Sequence, residues 1–266
     1  MIYMAFLFFT FLVLLLAFYH WQFYMVFTPT FHKERELGEH SSLFYIQTED
    51  GIELEGVIYE PQNPRATLLV FVGRSHDAVA LINKLSLTYP HSRVVAFNYR
   101  SYGKSGGVIN EKNLLSDGVK IAELVQKNYG DFYLLGYSLG SNVAAYVASK
   151  QTVKGLFLVG AFDSIASLAK SKFVDRSFFP MVDLSKIFRY KLTTGEYVTT
   201  VNTKTYLFVS KDDEVTYIDN ARVLQKKVKN LDYYVELEGL NHKEILWARA
   251  VTDKINEVLN SETTTK

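Results

Sequence analysis

One serine sits where its hydroxyl can do chemistry. Gly136-Tyr137-Ser138-Leu139-Gly140 lies between an apolar run, FYLLGY, and a helical pattern, GSNVAAYVASK. A tight strand-to-helix turn of this G-x-S-x-G type holds the serine in strained backbone geometry with its Oγ above the strand end. The flanking glycines are needed because neighbouring chains approach too closely there for side chains. A nucleophilic serine requires a general base and a carboxylate to orient that base. In strand–turn–helix sites of this kind the order along the chain is serine, acid, histidine. Of the six histidines, His20, His32, His40, His76 and His91 all precede Ser138. That leaves His242, in LEGLNHKEI, between the last strand pattern and the last helix pattern. For the acid, KTYLFVSKDDEVTYIDNA puts Asp212, Asp213 and Glu214 directly after a buried-strand pattern. Asp212 is the expected acid, being nearest the strand end and three residues before apolar Val215, and Asp213 is expected as its exposed neighbour.

The elements that must position these residues alternate along the chain. SLFYIQT (42–48) and IELEGVIY (52–59) alternate as strands, and Glu49-Asp50-Gly51 between them predicts an antiparallel hairpin. ATLLVFV (66–72), RVVAFNY (93–99), FYLLGY (132–137), GLFLVGA (155–161), KTYLFVS (204–210) and LDYYVEL (231–237) follow. Near-continuous apolar strands belong to parallel sheets buried on both faces. Helix-period segments at 78–87, 113–128, 140–150, 217–230 and 244–259 fall between or after them. Together they predict an α/β chain with a doubly wound, mostly parallel sheet. Segment 162–203 is the only long insertion before the acid strand. It mixes Phe173, Phe178, Phe179, Met181, Ile187 and Phe188 with Lys170, Lys172, Arg176, Lys186 and Arg189. It reads either as a small cap forming an acyl groove or as a helix packed on the sheet with snorkelling basic residues.

The first 32 residues contain no Asp, Glu, Lys or Arg, and Ile2 to Tyr19 is almost wholly apolar. Eighteen to twenty such residues in a helix span about 27–30 Å, the thickness of a bilayer core. Tyr19, Trp21 and Tyr24 stand at the end of the run, where amphipathic rings favour the headgroup level. A cleaved secretory signal fits poorly, because there is no basic n-region and no small-x-small site. The expected division is therefore a transmembrane anchor (1–27), a charged juxtamembrane linker (28–40) and one α/β domain (41–266). On that division, deleting residues 1–30 should leave a folded, active domain. Lys33 and Arg35 are the only basic residues near the span and lean toward a cytoplasmic flank, but long domains translocate regardless of flanking charge, so the side of a cell membrane on which the domain sits stays open.

Across all 266 residues the net charge is +1, 48% are hydrophobic and there is no cysteine. The charge argues against a nucleic-acid partner, and the apolar content argues against disorder. Without cysteine there is no disulfide framework, thiolate zinc site or cysteine nucleophile. No pair of histidines and carboxylates has metal spacing. Gly103-Lys104-Ser105 has the tail of a phosphate-binding loop, but Asn98 stands where such a loop requires glycine.

GYSLG, KDDEV and GLNH, with NYRSYGKSGG (98–107), Asp117 and the apolar N-terminus followed by VFTPT, run in one order along the chain. On these motifs the chain resembles the α/β-hydrolase superfamily, and within it the small membrane-anchored ABHD-type serine hydrolases. The resemblance implies cleavage of a small-molecule or lipid-like carboxylic ester or thioester by Ser138, His242 and Asp212, with no metal or organic cofactor. It further implies an oxyanion hole from two backbone N–H groups, with Arg74 and Leu139 as the donors. Two departures qualify it. Phe71-Val72-Gly73-Arg74 stands in place of the family's His-Gly-Asn or His-Gly-Gly, and NTKT stands where a proline usually precedes the acid strand. The altered loop keeps open a catalytically silent membrane scaffold, and an acyl transferase would use the same three side chains. It also puts the Arg74 guanidinium beside the reacting carbonyl, to bind an anionic substrate group or to point into solvent.

Overall fold

The apolar runs of the chain's middle and end assemble side by side because only a doubly covered sheet buries both of their faces. The computed structural model describes residues 2–173 and 184–261. Its strands are β1 (Ser41–Gln47), β2 (Glu53–Tyr59), β3 (Ala66–Phe71), β4 (Ser92–Phe97), β5 (Tyr133–Tyr137), β6 (Leu156–Val159), β7 (Thr205–Ser210) and β8 (Leu231–Leu237). They form one eight-stranded sheet in the order β1-β2-β4-β3-β5-β6-β7-β8. β1 and β2 are the expected hairpin, and β2 runs antiparallel to β4. Every pair from β4 to β8 is parallel. All residues of β5, β6 and β7 are buried, so Ser138 and the acid loop leave from the middle of the sheet rather than its margin.

The helices are α1 (Ile2–Val26), α2 (Ala78–Thr88), α3 (Glu111–Tyr129), α4 (Leu139–Lys150), α5 (Ile165–Phe173), α6 (Leu184–Ile187), α7 (Thr194–Tyr197), α8 (Ile218–Gln225) and α9 (Arg249–Asn260). The helix expected over 244–259 is two pieces, a 3-10 turn at Ile245–Trp247 and then α9, with Ala248 extended between them. Ile245, Leu246, Val251, Ile255 and Leu259 are nonetheless all buried. The periodicity marks an apolar face, which a break in the backbone need not interrupt. Residues 174–183, including Arg176, Phe178, Phe179 and Met181 of the expected cap, lie outside the described residues, as do the side chains of Lys172 and Phe173.

α1 is 25 residues long, about 37 Å at helical rise, and its residues 2–17 are all exposed. A core helix would be buried; this one is a candidate membrane span by length and composition. Its far end behaves differently. Gln22, Val26 and the following Phe27 are buried. Gln22 Oε1 accepts the Arg189 N–H at 2.6 Å, and the Phe27 ring meets Tyr190 edge-on with centroids 5.0 Å apart. The stretch expected as a linker is likewise tied to the domain. Thr28 N–H donates to Tyr102 Oη at 2.9 Å, and Gly103 N–H donates to Thr30 O at 2.9 Å. The Arg35 guanidinium pairs with Glu55 and, at 3.0 Å, with Asp77, both carboxylates fully buried. Asn98 donates to both acids at 2.9 and 3.0 Å. Arg35 is thus a structural side chain of the domain, and the stretch 22–35, although half of its residues are exposed, is tied to the domain at Gln22, Val26, Phe27, Thr28, Thr30 and Arg35.

Candidate active site

The turn after β5 closes as sharply as its sequence requires. Ser138 has φ 52° and ψ −117°, a backbone region that a non-glycine residue occupies at a cost of about 1–3 kcal/mol. A Cβ on Gly140 would collide with the Phe71 carbonyl of β3, and one on Gly136 with the Gly140 carbonyl. Both glycines are therefore obligatory. The strain lifts Ser138 Oγ toward His242, whose Nε2 lies 2.9 Å away. His242 itself sits in the loop after β8, ahead of the 3-10 turn.

The carboxylate facing His242 is that of Asp213, not Asp212. Asp213 Oδ2 lies 2.7 Å from His242 Nδ1 and is buried, whereas Asp212 is exposed and its Oδ2 accepts the Gly239 N–H at 2.6 Å. The reason lies in the backbone. Lys211 N–H still bonds Leu237 O at 2.9 Å, so the β7–β8 ladder continues past Ser210 and the loop begins one residue later than the apolar run suggests. The Asp213 side chain then nucleates its own turn. Its Oδ1 accepts the N–H groups of Val215 and Thr216 at 2.8 and 2.7 Å, and its Oδ2 accepts the Thr216 hydroxyl at 2.6 Å. Burial alone would raise the Asp213 carboxyl, but hydrogen bonding to His242, the charge of His242 and the two Thr216 donors outweigh it and hold it below the ordinary value of 3.8. An ionised Asp213 fixes the proton of His242 on Nδ1, which leaves Nε2 free to accept from Ser138.

Sequence reasoning missed several residues here. Glu214 Oε2 accepts the His242 backbone N–H at 3.1 Å, so each of three consecutive acids engages the histidine loop at a different atom. Tyr137, buried beside the nucleophile, donates its hydroxyl to the His242 carbonyl at 2.7 Å and stacks on the imidazole with centroids 5.3 Å apart. Burial, followed by the charges of Asp213 and Glu214, pushes its phenol well above the usual value, so it stays a donor. His76 meets the same ring edge-on at 5.4 Å. Nothing in the spacing of single residues signals these contacts, although the run of three acids was visible.

Arg74 and Leu139 line one cavity with Ser138, together with Met25, Val26, Phe162, Ile165, Leu168 and Ala169, and its volume is about 140 Å³. The Arg74 side chain is exposed, and its Nη1 donates to the Met25 carbonyl at 2.5 Å, at the C-terminal end of α1. Tyr99 and Tyr102 donate their hydroxyls to the carbonyls of Val72 and Arg74 at 2.7 and 2.6 Å. Arg100 pairs with Asp117 and Asp50 at 2.7 and 2.6 Å, which makes NYRSYGKSGG a brace for the site. Ser105 Oγ donates to Asn98 O and accepts the Glu55 N–H, so this serine too is structural.

Comparison with known proteins agrees with this architecture. A family profile described as alpha/beta hydrolase fold matches residues 71–184. An uncharacterized protein (R595) of Acanthamoeba polyphaga mimivirus is 27% identical over 221 residues, 75% of this chain and 74% of that protein. Among solved structures, an esterase of Pyrococcus furiosus superposes with a TM-score of 0.62 at 15% identity, covering 89% of this chain and 97% of that one. A monoacylglycerol lipase of Paleococcus ferrophilus gives 0.59 at 17%, covering 78% and 98%. An α/β serine hydrolase homologue from Coxiella burnetii gives 0.56 at 17%, covering 85% and 99%. The strand order and the strained serine turn are those of the α/β-hydrolase fold, the fold that the matching profile describes and that these structural neighbours share.

Proposed function

We propose that this chain is a membrane-anchored serine hydrolase that cleaves carboxylic esters or thioesters through an acyl-enzyme. The observation that carries the reading is the unbroken hydrogen-bonded chain from Ser138 Oγ through His242 to Asp213, at 2.9 and 2.7 Å. Ser138 Oγ attacks the substrate carbonyl and forms the new C–O bond while His242 Nε2 takes its proton. His242 then returns that proton to the leaving alcohol or thiol, and Asp213 stays ionised against the imidazolium. Water, activated by the same imidazole, hydrolyses the acyl-serine. The tetrahedral oxyanion is held by the N–H groups of Leu139, the first residue of α4, and of Arg74, whose own carbonyl is occupied by Tyr102. An ester substrate accords with the esterase and lipase among the structural neighbours. The exposed span of α1 supports an anchor, and the burial of Val26 and Phe27 just after it speaks against removal of the helix as a signal.

The test is labelling of the full chain in membranes by a fluorophosphonate probe. Wild type should react and Ser138→Ala should not; His242→Ala should lower ester turnover by roughly 10³ or more. A folded wild type that stays unlabelled overturns the hydrolase reading. Release of the chain by alkaline carbonate overturns the anchor.

A further inference from the structure

The cavity beside Ser138 has two unequal walls. Phe162, Ile165, Leu168 and Ala169, at the end of β6 and along α5, form one; Met25 and Val26, in the last turn of α1, form the other, and Val215 and Thr216 of the acid loop close the side between them. That turn is held from three directions. Arg74 binds the Met25 carbonyl, Gln22 accepts the Arg189 N–H, and Thr28 donates to the Tyr102 hydroxyl that itself donates to the Arg74 carbonyl. A helix that served only as a tether would need none of these bonds. We propose that the last turn of α1 is a specificity-determining wall of the active site, and that Met25 sets the length of the unbranched acyl chain the cavity accepts.

The assignment to the acyl side follows from the geometry, and it rests on the hydrolase reading above. The leaving group must lie within reach of His242 Nε2 to receive its proton, and the acid–histidine side reaches this cavity only through Val215 and Thr216, not through His242 itself. Ser138, Arg74 and Leu139 do line it, so the carbonyl sits at its mouth and the chain on the carbonyl carbon fills the rest. A dry apolar cavity of 150 Å³ accepts benzene, so about 140 Å³ suits a chain of roughly six carbons. The same helix that crosses the bilayer thereby measures the substrate.

The experiment uses the full chain in lipid nanodiscs. The ratio of kcat/KM for p-nitrophenyl hexanoate over the acetate should fall about 10-fold or more in Met25→Trp, and Met25→Ala should move the preferred chain to longer esters. Leu12→Phe, on the exposed part of the same helix, should leave the ratio unchanged. A ratio unmoved in both Met25 variants, with each still labelled by fluorophosphonate, overturns the wall. A second readout does not need catalysis: in the methyl spectrum of 13C-methionine-labelled protein, 1-hexanol should shift the Met25 signal (assigned by Met25→Leu) in Ser138→Ala as in wild type. That shift without ester turnover would sink the hydrolase reading and keep the wall. Absence of the shift overturns the wall even if esters are cleaved.

Discussion

The two sides of the Ser138 site are built on different principles. On the β7–β8 side, Asp212, Asp213 and Glu214 reach residues 239 and 242 through directional hydrogen bonds, and Tyr137 closes the set from the opposite strand. Three of those bonds involve a carboxylate, where a charge-assisted bond is short and geometry is tightly fixed. On the α1 side, apolar side chains from a distant part of the chain make the wall, and only a few bonds from Arg74, Gln22 and Tyr102 fix its position. Apolar contact is non-directional and roughly proportional to area, so this side tolerates changes of shape that the other cannot. On the proposed function, bond-making falls to the hydrogen-bonded side and substrate fit to the apolar one.

The strongest attempt to break that division is the pair Asp213→Asn and Asp212→Asn. The first removes the charge opposite His242 Nδ1 and should lower kcat by about 10³–10⁴, with little change in KM, whereas the second should cost less than about 10-fold. Equal losses would return the acid's role to the whole loop. Next in size is Phe27→Ala on the α1 side. Phe27 is fully buried against Tyr190, so its truncation should cost about 3–5 kcal/mol, a drop in Tm on the order of 10 °C in nanodiscs. Phe8→Ala, on the exposed span, should leave Tm where it is. Unchanged Tm in both would make the end of α1 a loose tether after all. The smallest effect concerns His76, which packs on Tyr137 between the two sides. Burial, and then the nearby charge of His242, lowers its imidazole below 6.5. The unfolded chain therefore binds the His76 proton more readily than the folded one. Stability is fully present above pH 6.5 and declines as pH falls from there toward the folded value. Urea midpoints at pH 7.5 and pH 5 should differ more for wild type than for His76→Asn; identical differences would remove His76 from the pH response.

Much of this molecule was readable before its structure. The eight strand patterns became the eight strands; for β3 to β7 the reason is that a near-continuous apolar run has no stable place except a sheet covered on both faces, while β1 and β2 follow from alternation and a hairpin turn. Ser138 was marked by its glycines, and their reason is local: Phe71 and Gly140 leave no space for a Cβ. His242 was marked by chain order alone. The histidine and the serine could be found because each answers to a constraint that a single short segment carries.

Choosing among Asp212, Asp213 and Glu214 was a different kind of question. Three adjacent carboxylates have the same local chemistry, and which one faces His242 depends on where the β7–β8 ladder ends, a matter of pairing with a strand more than twenty residues away. The placement of α1 was equally beyond the sequence. Its apolar run fixes that it is a helix and long enough for a bilayer, but a uniformly apolar helix has no preferred face. Only folding brings Arg74, Arg189 and Tyr102 to its last turn and makes Met25 part of a cavity with Ser138. The sequence by itself determined the elements and the chemical groups, which follow from periodicity and residue type. The tertiary structure decided which carboxylate meets the imidazole and which helix walls the site, since both rest on contacts between segments whose distance along the chain conceals their meeting.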